Sequence, residues 1–296
     1  MTGIIIVDKP QDFTSFDVVA VMRGCFHTKK VGHGGTLDPM ATGVLPVFVG
    51  GATKAADLVP DSDKSYRAGF RLGVTSDTLD IWGKLSEERE ISLAREAVEA
   101  ALEQFRGEIM QIPPMYSALK VNGQKLCDLA RKGIEVERKP RPVTISRLEL
   151  TEFDGRNGVL EMDCSSGTYV RTLCDDLGKA LGTGAVMTSL VRTRSCGFTL
   201  AQCYSLEALK AMSYEELCGL LRPVESVFAS LPRVELDAEQ ERLYKNGVRL
   251  DADRLRVRPE TDVLCSVYTS SGFTGVAKVN EQAELVSVKR FDTLSV

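Results

Sequence analysis

The residues best placed to do chemistry in this 296-residue chain lie between Val31 and Lys54, which read V-G-H-G-G-T-L-D-P-M-A-T-G-V-L-P-V-F-V-G-G-A-T-K. Glycines ahead of a single carboxylate, Asp38, describe a loop whose backbone can approach a ligand closely, with the aspartate restricted by Pro39. An aspartate before proline equally suits an Asx turn or a helix cap. Nucleotide motifs fail here. Gly32-His33-Gly34-Gly35-Thr36-Leu37 opens like G-x-G-x-x-G but ends in leucine, and Gly50-Gly51-Ala52-Thr53-Lys54 lacks the Gly-Lys-Ser/Thr ending of a phosphate-binding loop. Only His27 and His33 could serve a histidine–serine pair. The eight cysteines, at 25, 127, 164, 174, 196, 203, 218 and 265, contain no C-x-x-C pair. That pattern argues against a disulfide scaffold and against zinc, so no metal site is expected. The cysteines read as small buried hydrophobes in a reducing cytoplasm.

The elements that must position Asp38 follow from periodicity. Gly3–Val7 reads as a buried strand ending at Asp8-Lys9-Pro10, and Thr14 or Ser15 offers an N-cap for a helix carrying Phe16, Val19 and Ala20. Residues 28–43 are a loop of functional length, Val44–Val49 is a strand, and Ala52–Leu58 a helical turn or two. Lys64–Leu72 alternates, with Tyr66, Ala68 and Phe70 on one face. A polar loop spans 75–82. Ser92 is the expected cap of a helix stopped by Gly107. Gln111-Ile112-Pro113-Pro114 breaks the chain, and Gln124–Lys132 is a short basic helix. Val143–Phe153 and Val159–Cys164 form a hairpin, Tyr169–Leu181 an amphipathic helix, and Ala185–Arg192 a strand. After the mostly helical Ser205–Leu221, the short runs Val263–Tyr268, Gly275–Val279 and Leu285–Arg290 predict a separate small β domain. Strands and helices mix without regular βαβ alternation, which favours α+β.

Composition bounds the function. The chain is 43% apolar and 26% charged, enough to bury a sizeable core. No run approaches 18 apolar residues, which excludes a membrane-spanning helix. Met1-Thr2-Gly3 lacks a basic n-region, so no secretory signal is expected. The net charge of −4 hides a local asymmetry, because residues 120–147 carry eight cations against three anions. A patch of that sign suits a phosphate backbone on one face, or is simply solvated.

The whole Val31–Lys54 string resembles the signature of the TruB family of tRNA pseudouridine synthases, whose loop reads G-H-x-G-x-L-D-P-x-A-x-G-x-L. Further family-like segments follow in order: Asp8-Lys9-Pro10 with Thr14-Ser15, Asp63-Lys64-Ser65-Tyr66, Gln111 through Ala118, and Cys164 through Thr172 with Asp175-Asp176-Leu177-Gly178. The resemblance covers about residues 3–230. Asp12 departs from it, standing where the family usually has glycine in K-P-x-G-x-T-S.

The resemblance implies a catalytic domain over 1–231 with a central mixed, largely antiparallel sheet and flanking helices. Residues 107–147 would be an RNA-gripping insertion, and 232–296 a small PUA-like RNA-binding domain. It implies isomerisation of a T-loop uridine of tRNA, position 55 by convention, to pseudouridine, with no cofactor. An essential carboxylate is what this chemistry asks for. Asp38 matches it, by attack on a carbon, by stabilising charge at C1′, or by taking a sugar proton. Arg171 matches the family's counter-charge to that carboxylate, and Tyr66 its base-stacking tyrosine. Tyr169 and Leu190 match uridine-pocket positions. His33 matches the residue abutting the space left by the flipped base, and Lys9 a support for the loop or a phosphate. Lys125, Arg131 and Lys132 are the candidate backbone contacts. A monomeric, cytoplasmic enzyme acting without a guide RNA, a membrane or a protein partner is expected. The rival readings are a non-catalytic RNA-binding module on the same scaffold and a carboxylate-dependent glycoside hydrolase, for which no second carboxylate is evident.

Overall fold

The computed structural model describes residues 1–60, 63–121 and 123–291. Asn122 of the basic insertion and residues 292–296 of the expected C-terminal domain lie outside them. Two compact units emerge, one of Met1–Asp38, Val44–Ser62 and Ser195–Val296, the other of Pro39–Gly43 and Asp63–Arg194. The chain passes from one to the other immediately after Asp38.

In the first unit, strand Gly3–Lys9 lies between Tyr204–Ser205, to which it is parallel, and the Val44–Val49 part of strand Thr42–Val49. Its period-2 alternation feeds two layers. Ile5 and Val7 join Leu45, Val47 and Val49 against Val18, Val19 and Met22 of helix Ser15–Cys25. Ile4 and Ile6 join Val44 and Phe48 against Ala52, Ala55, Val227 and Phe228. A strand buried on both faces explains the unbroken apolar run Ile4–Val7. Thr14, not Ser15, caps the helix, with Asp17 completing a capping box.

The C-terminal β domain is a five-stranded sheet in the order Arg233–Glu235, Leu264–Thr269, Gly272–Val279, Glu284–Arg290, Leu250–Asp251. Val276 and Phe291 extend from it into the Ile4/Phe48 layer, where Phe273 stacks on Phe228 and on Phe291 at 5.9 Å and the latter two meet tilted. A helix at Ala238–Lys245, absent from the periodicity reading, begins with Asp237 and Gln240 in a capping box and Glu239 and Glu241 in its first turn. The acidic run 235–239 thus neutralises a helix N-terminus.

In the second unit, the Thr42–Gly43 end of its strand is followed in sheet order by Ala185–Ser195, Lys64–Leu72, Asn157–Cys164, Arg141–Phe153 and Gly107–Gln111. Thr42 and Gly43 run parallel to Val191 and Arg192, whereas the outer strands are antiparallel, so the sheet is mixed. Gly43 has φ +101°, and a Cβ there would sit 2.3 Å from the Arg192 carbonyl oxygen. Only glycine fits.

Two expectations are corrected here. Ser92 does not cap its helix, which runs Arg95–Leu102 behind an extended Ala94, because residues 90–94 are not helical and the Leu93 N–H donates to the Gly155 carbonyl at 2.9 Å. The stretch 124–132 begins as strand: Lys120–Val121 and Gln124–Lys125 pair as a small hairpin, and the helix covers only Leu126–Ala130. Strand Gly107–Gln111, which the Pro113-Pro114 breaker obscured, is the sheet's outer strand.

Asp12, the departure from the family pattern, sits at φ +68°. The left-handed region is where glycine is free and aspartate tolerated, which accounts for both residues at this position. Asp12→Gly should therefore leave thermal stability within about 1 kcal/mol or raise it, whereas Asp12→Val should cost about 1–2 kcal/mol. Thermal unfolding of the two variants checks this, and equal losses would mean that the turn is not held in this conformation.

Candidate active site

The Asp38 loop is built from its two ends. Val31–His33 pairs antiparallel with Val47–Val49, His33 opposite Val47, and the Gly34 N–H donates to the Pro46 carbonyl at 2.8 Å. At the other end the Ser15 hydroxyl accepts from the Leu37 N–H at 2.8 Å and donates to the Leu37 carbonyl at 3.3 Å. Leu37, Met40 and Ala41 are buried around a half-buried Asp38. The residue preceding the carboxylate is thus fixed by hydrogen bonds and by burial. Lys9 is fully buried and its ammonium donates to the carbonyls of Pro10, at 2.8 Å, and of Phe13. It ties together the turn that contains Asp12.

The other predicted residues belong to the second unit. Tyr66, 7% exposed, lies on strand Lys64–Leu72 opposite Met162, and Leu190 lies on the adjacent strand Ala185–Ser195. Tyr169 and Arg171 sit at the start of helix Val170–Ala180, Tyr169 at its N-cap. Tyr169 has no side-chain cap of its own. Instead the buried Gln111 amide grips its backbone from both sides, Oε1 accepting from the Tyr169 N–H at 2.7 Å and Nε2 donating to its carbonyl at 3.0 Å.

Arg171 is 5% exposed, so its permanent charge must be met inside the protein. Nη1 donates to the Thr78 carbonyl at 3.0 Å and Nη2 to the Tyr116 carbonyl at 2.8 Å. Nη1 also lies 3.5 Å from Oδ2 of Asp80, itself 6% exposed. The other Asp80 oxygen accepts from the Thr78 hydroxyl at 2.7 Å and the Trp82 N–H at 3.0 Å. A second cluster surrounds Asp163. Burial pushes its pKa up, but the Ser65 hydroxyl and the Arg147 guanidinium, at 2.8 Å, outweigh this and hold it low.

Asp80, Gln111 and Ser15 hold positions in the site that the sequence reading does not assign to them. Asp80 falls in a loop without periodicity, and Gln111 and Ser15 fall in segments that resemble the family but to which sequence alone gives no partner. Of the basic candidates, Lys125, Arg131 and Lys132 are all exposed, with Arg131 3.6 Å from Asp128. Burial raises the Cys164 thiol to about 11 and the Cys174 thiol to about 12, so both stay protonated and unreactive near neutrality. Among the described residues no cluster of His, Cys, Asp and Glu could hold a metal ion, and no helix is long and apolar enough to cross a membrane.

The chain matches the TruB family pseudouridylate synthase N-terminal domain over residues 23–170 and the tRNA pseudouridylate synthase B C-terminal domain over 171–229. It is 41% identical to tRNA pseudouridine synthase B of Clostridium tetani over 283 residues, 95% of this chain and 97% of that protein. It is 46% identical to the Azoarcus tRNA pseudouridine synthase B over 248 residues, 84% of this chain and 83% of that one. Among solved structures, that of a Cbf5-Nop10-Gar1 complex superposes on 98% of this chain and 84% of its own, with TM-score 0.76 and 26% identity. An H/ACA RNP bound to a substrate RNA shares the fold, with TM-score 0.73 and 23% identity over 97% of this chain and 84% of that one. The chain belongs to the TruB family of pseudouridylate synthases and is an isomerase.

Proposed function

We propose that this enzyme isomerises the uridine at position 55, in the T-loop of tRNA, with Asp38 as its essential carboxylate. The observation that carries the reading is the pinned carboxylate. Ser15 fixes Leu37 through both backbone groups, so the carboxylate that follows is held on a loop anchored at each end. The relatives named tRNA pseudouridine synthase B, matched over most of their length, support tRNA as the substrate.

In this reaction the N1–C1′ bond breaks, the base turns, and C5 bonds to C1′. The C5 proton leaves, N1 gains one, and no electrons are exchanged. Asp38 acts on the base or on C1′, or removes a sugar proton. Arg171 supplies the cation that keeps it ionised in a site closed to water. Tyr66 stacks on the target base, Tyr169 and Leu190 line its pocket, and His33 occupies the space that the flipped nucleotide leaves. Lys9 supports the loop from within. Residues 1–231 act as the catalytic domain, and 232–296 as a PUA-like grip on the RNA. The enzyme works as a cytoplasmic monomer without a guide RNA.

Asp38→Asn should abolish tritium release from C5-labelled uridine in unmodified tRNA while tRNA binding persists within a few fold; measurable turnover would overturn the assignment. Asp80→Asn should lower kcat by about 10²-fold with little change in RNA affinity, because the amide oxygen still accepts from the Trp82 N–H while the guanidinium loses its partner charge. Single-turnover rates and filter binding separate those effects. Replacing Lys125, Arg131 and Lys132 together by alanine should flatten the slope of log K against log salt by about 0.7 for each lost contact. An unchanged slope would mean that the patch is merely solvated.

A further inference from the structure

The chain has one tryptophan, and it is held in an unusual way. Trp82 is 47% exposed, beside the exposed Ile81 and Leu85. An exposed apolar side chain alone would need no explanation. The loop beneath it does. Residues 75–86 close on themselves: the Ser86 N–H donates to the Thr75 carbonyl at 2.9 Å, and the Thr75 N–H to the Ser86 hydroxyl at 3.0 Å. Asp77 Oδ1 accepts from the Lys84 N–H at 2.7 Å. The Ile81 N–H donates to the Met187 carbonyl at 3.0 Å and the Met187 N–H to the Leu79 carbonyl at 3.1 Å, which ties the loop to the strand bearing Leu190. Leu79 is held at φ +66°, and a Cβ on Gly83 would lie 2.2–2.3 Å from the side-chain oxygens of Thr78, Asp77 and Ser76. Strain and close approach of this kind persist only where the surroundings over-determine them.

The same loop meets the buried cation. Asp80 receives the Trp82 N–H on one oxygen and faces Arg171 with the other. Both loop carboxylates, Asp77 and Asp80, are engaged by donors of the loop and of Arg171. What the loop leaves exposed is the indole, the apolar side chains of Ile81 and Leu85, and Lys84, with Asp77 exposed as well but engaged by the Lys84 N–H. An exposed aromatic side chain on a loop whose backbone is fixed, two residues from Lys84, suits an unpaired nucleobase, and the indole offers the largest face of the side chains that stack bases.

We infer that Trp82 is a stacking platform for an unpaired base of the RNA substrate, held in register with Arg171 through Asp80. This rests on the proposed RNA substrate. Because no other tryptophan contributes, indole fluorescence excited beyond the tyrosine absorption band reports this position alone. Titration with an unmodified T-arm stem–loop RNA should quench it, saturating at the concentration that filter binding gives. Trp82→Ala and Trp82→Leu should each raise KM by about 5- to 100-fold and affect kcat less, and Trp82→Phe should recover most of the loss. Melting temperatures near wild type would show that these variants are folded. Normal turnover with an unresponsive indole overturns the platform alone, as does a Trp82→Leu variant with wild-type KM. A changed sedimentation coefficient of RNA-free Trp82→Ala with KM unaltered also overturns it, in favour of contact between copies. Failure of the wild-type enzyme to bind or isomerise the RNA would bring down the functional reading, and the platform with it.

Discussion

A guanidinium that cannot lose its charge is buried at the start of helix Val170–Ala180, and much of the second unit is arranged to accommodate it. Removing such a group from water costs several kcal/mol unless its donors are met. Two carbonyls, of Thr78 and Tyr116, and the Asp80 carboxylate meet them. Each partner comes from a segment with little regular structure, so the cation organises loops that have no core of their own. The arrangement is also directional: bonds to Thr78 and Tyr116 leave the guanidinium little rotational freedom.

The first unit solves a different problem. A loop proposed to carry a catalytic carboxylate must be close to substrate yet fixed, and loops generally lie where fixing is weakest. Here the fixing is delegated to the strands and the helix that flank it. Val31–His33 extends the loop into the sheet, and Ser15, in the first turn of a helix packed on that sheet, holds Leu37 by both its N–H and its carbonyl. The layer of Ile5, Val7, Val19 and Met22 beneath helix and strands therefore bears indirectly on where Asp38 sits.

Much of this was legible in the sequence, for physical reasons. Strands buried on one or both faces announce themselves by composition and period, so Gly3–Val7, Val44–Val49, Lys64–Leu72 and the 143–164 hairpin are visible within a few residues of their ends. The glycine-rich string around Asp38 is specific enough to resemble one family, and the family match agrees. Invisible were the residues that hold other residues in place. Gln111 and Asp80 meet Tyr169 and Arg171 across long stretches of sequence, and only the fold carries those partners to them. Helix Ala238–Lys245 has little apolar period to read, because its first turn is acidic and its only buried side chain is Tyr244.

Lys9 carries a constraint on sequence variation. Its ammonium, on a fully buried stem, is shared between the carbonyls of two residues, Pro10 and Phe13, that flank the left-handed Asp12. An arginine would keep the charge but present a flat fork wider than that nook, and a leucine would fill it and orphan both oxygens. The tightness of this turn is thereby matched to the size of one compact headgroup, and a change on either side would have to be accompanied by a change on the other.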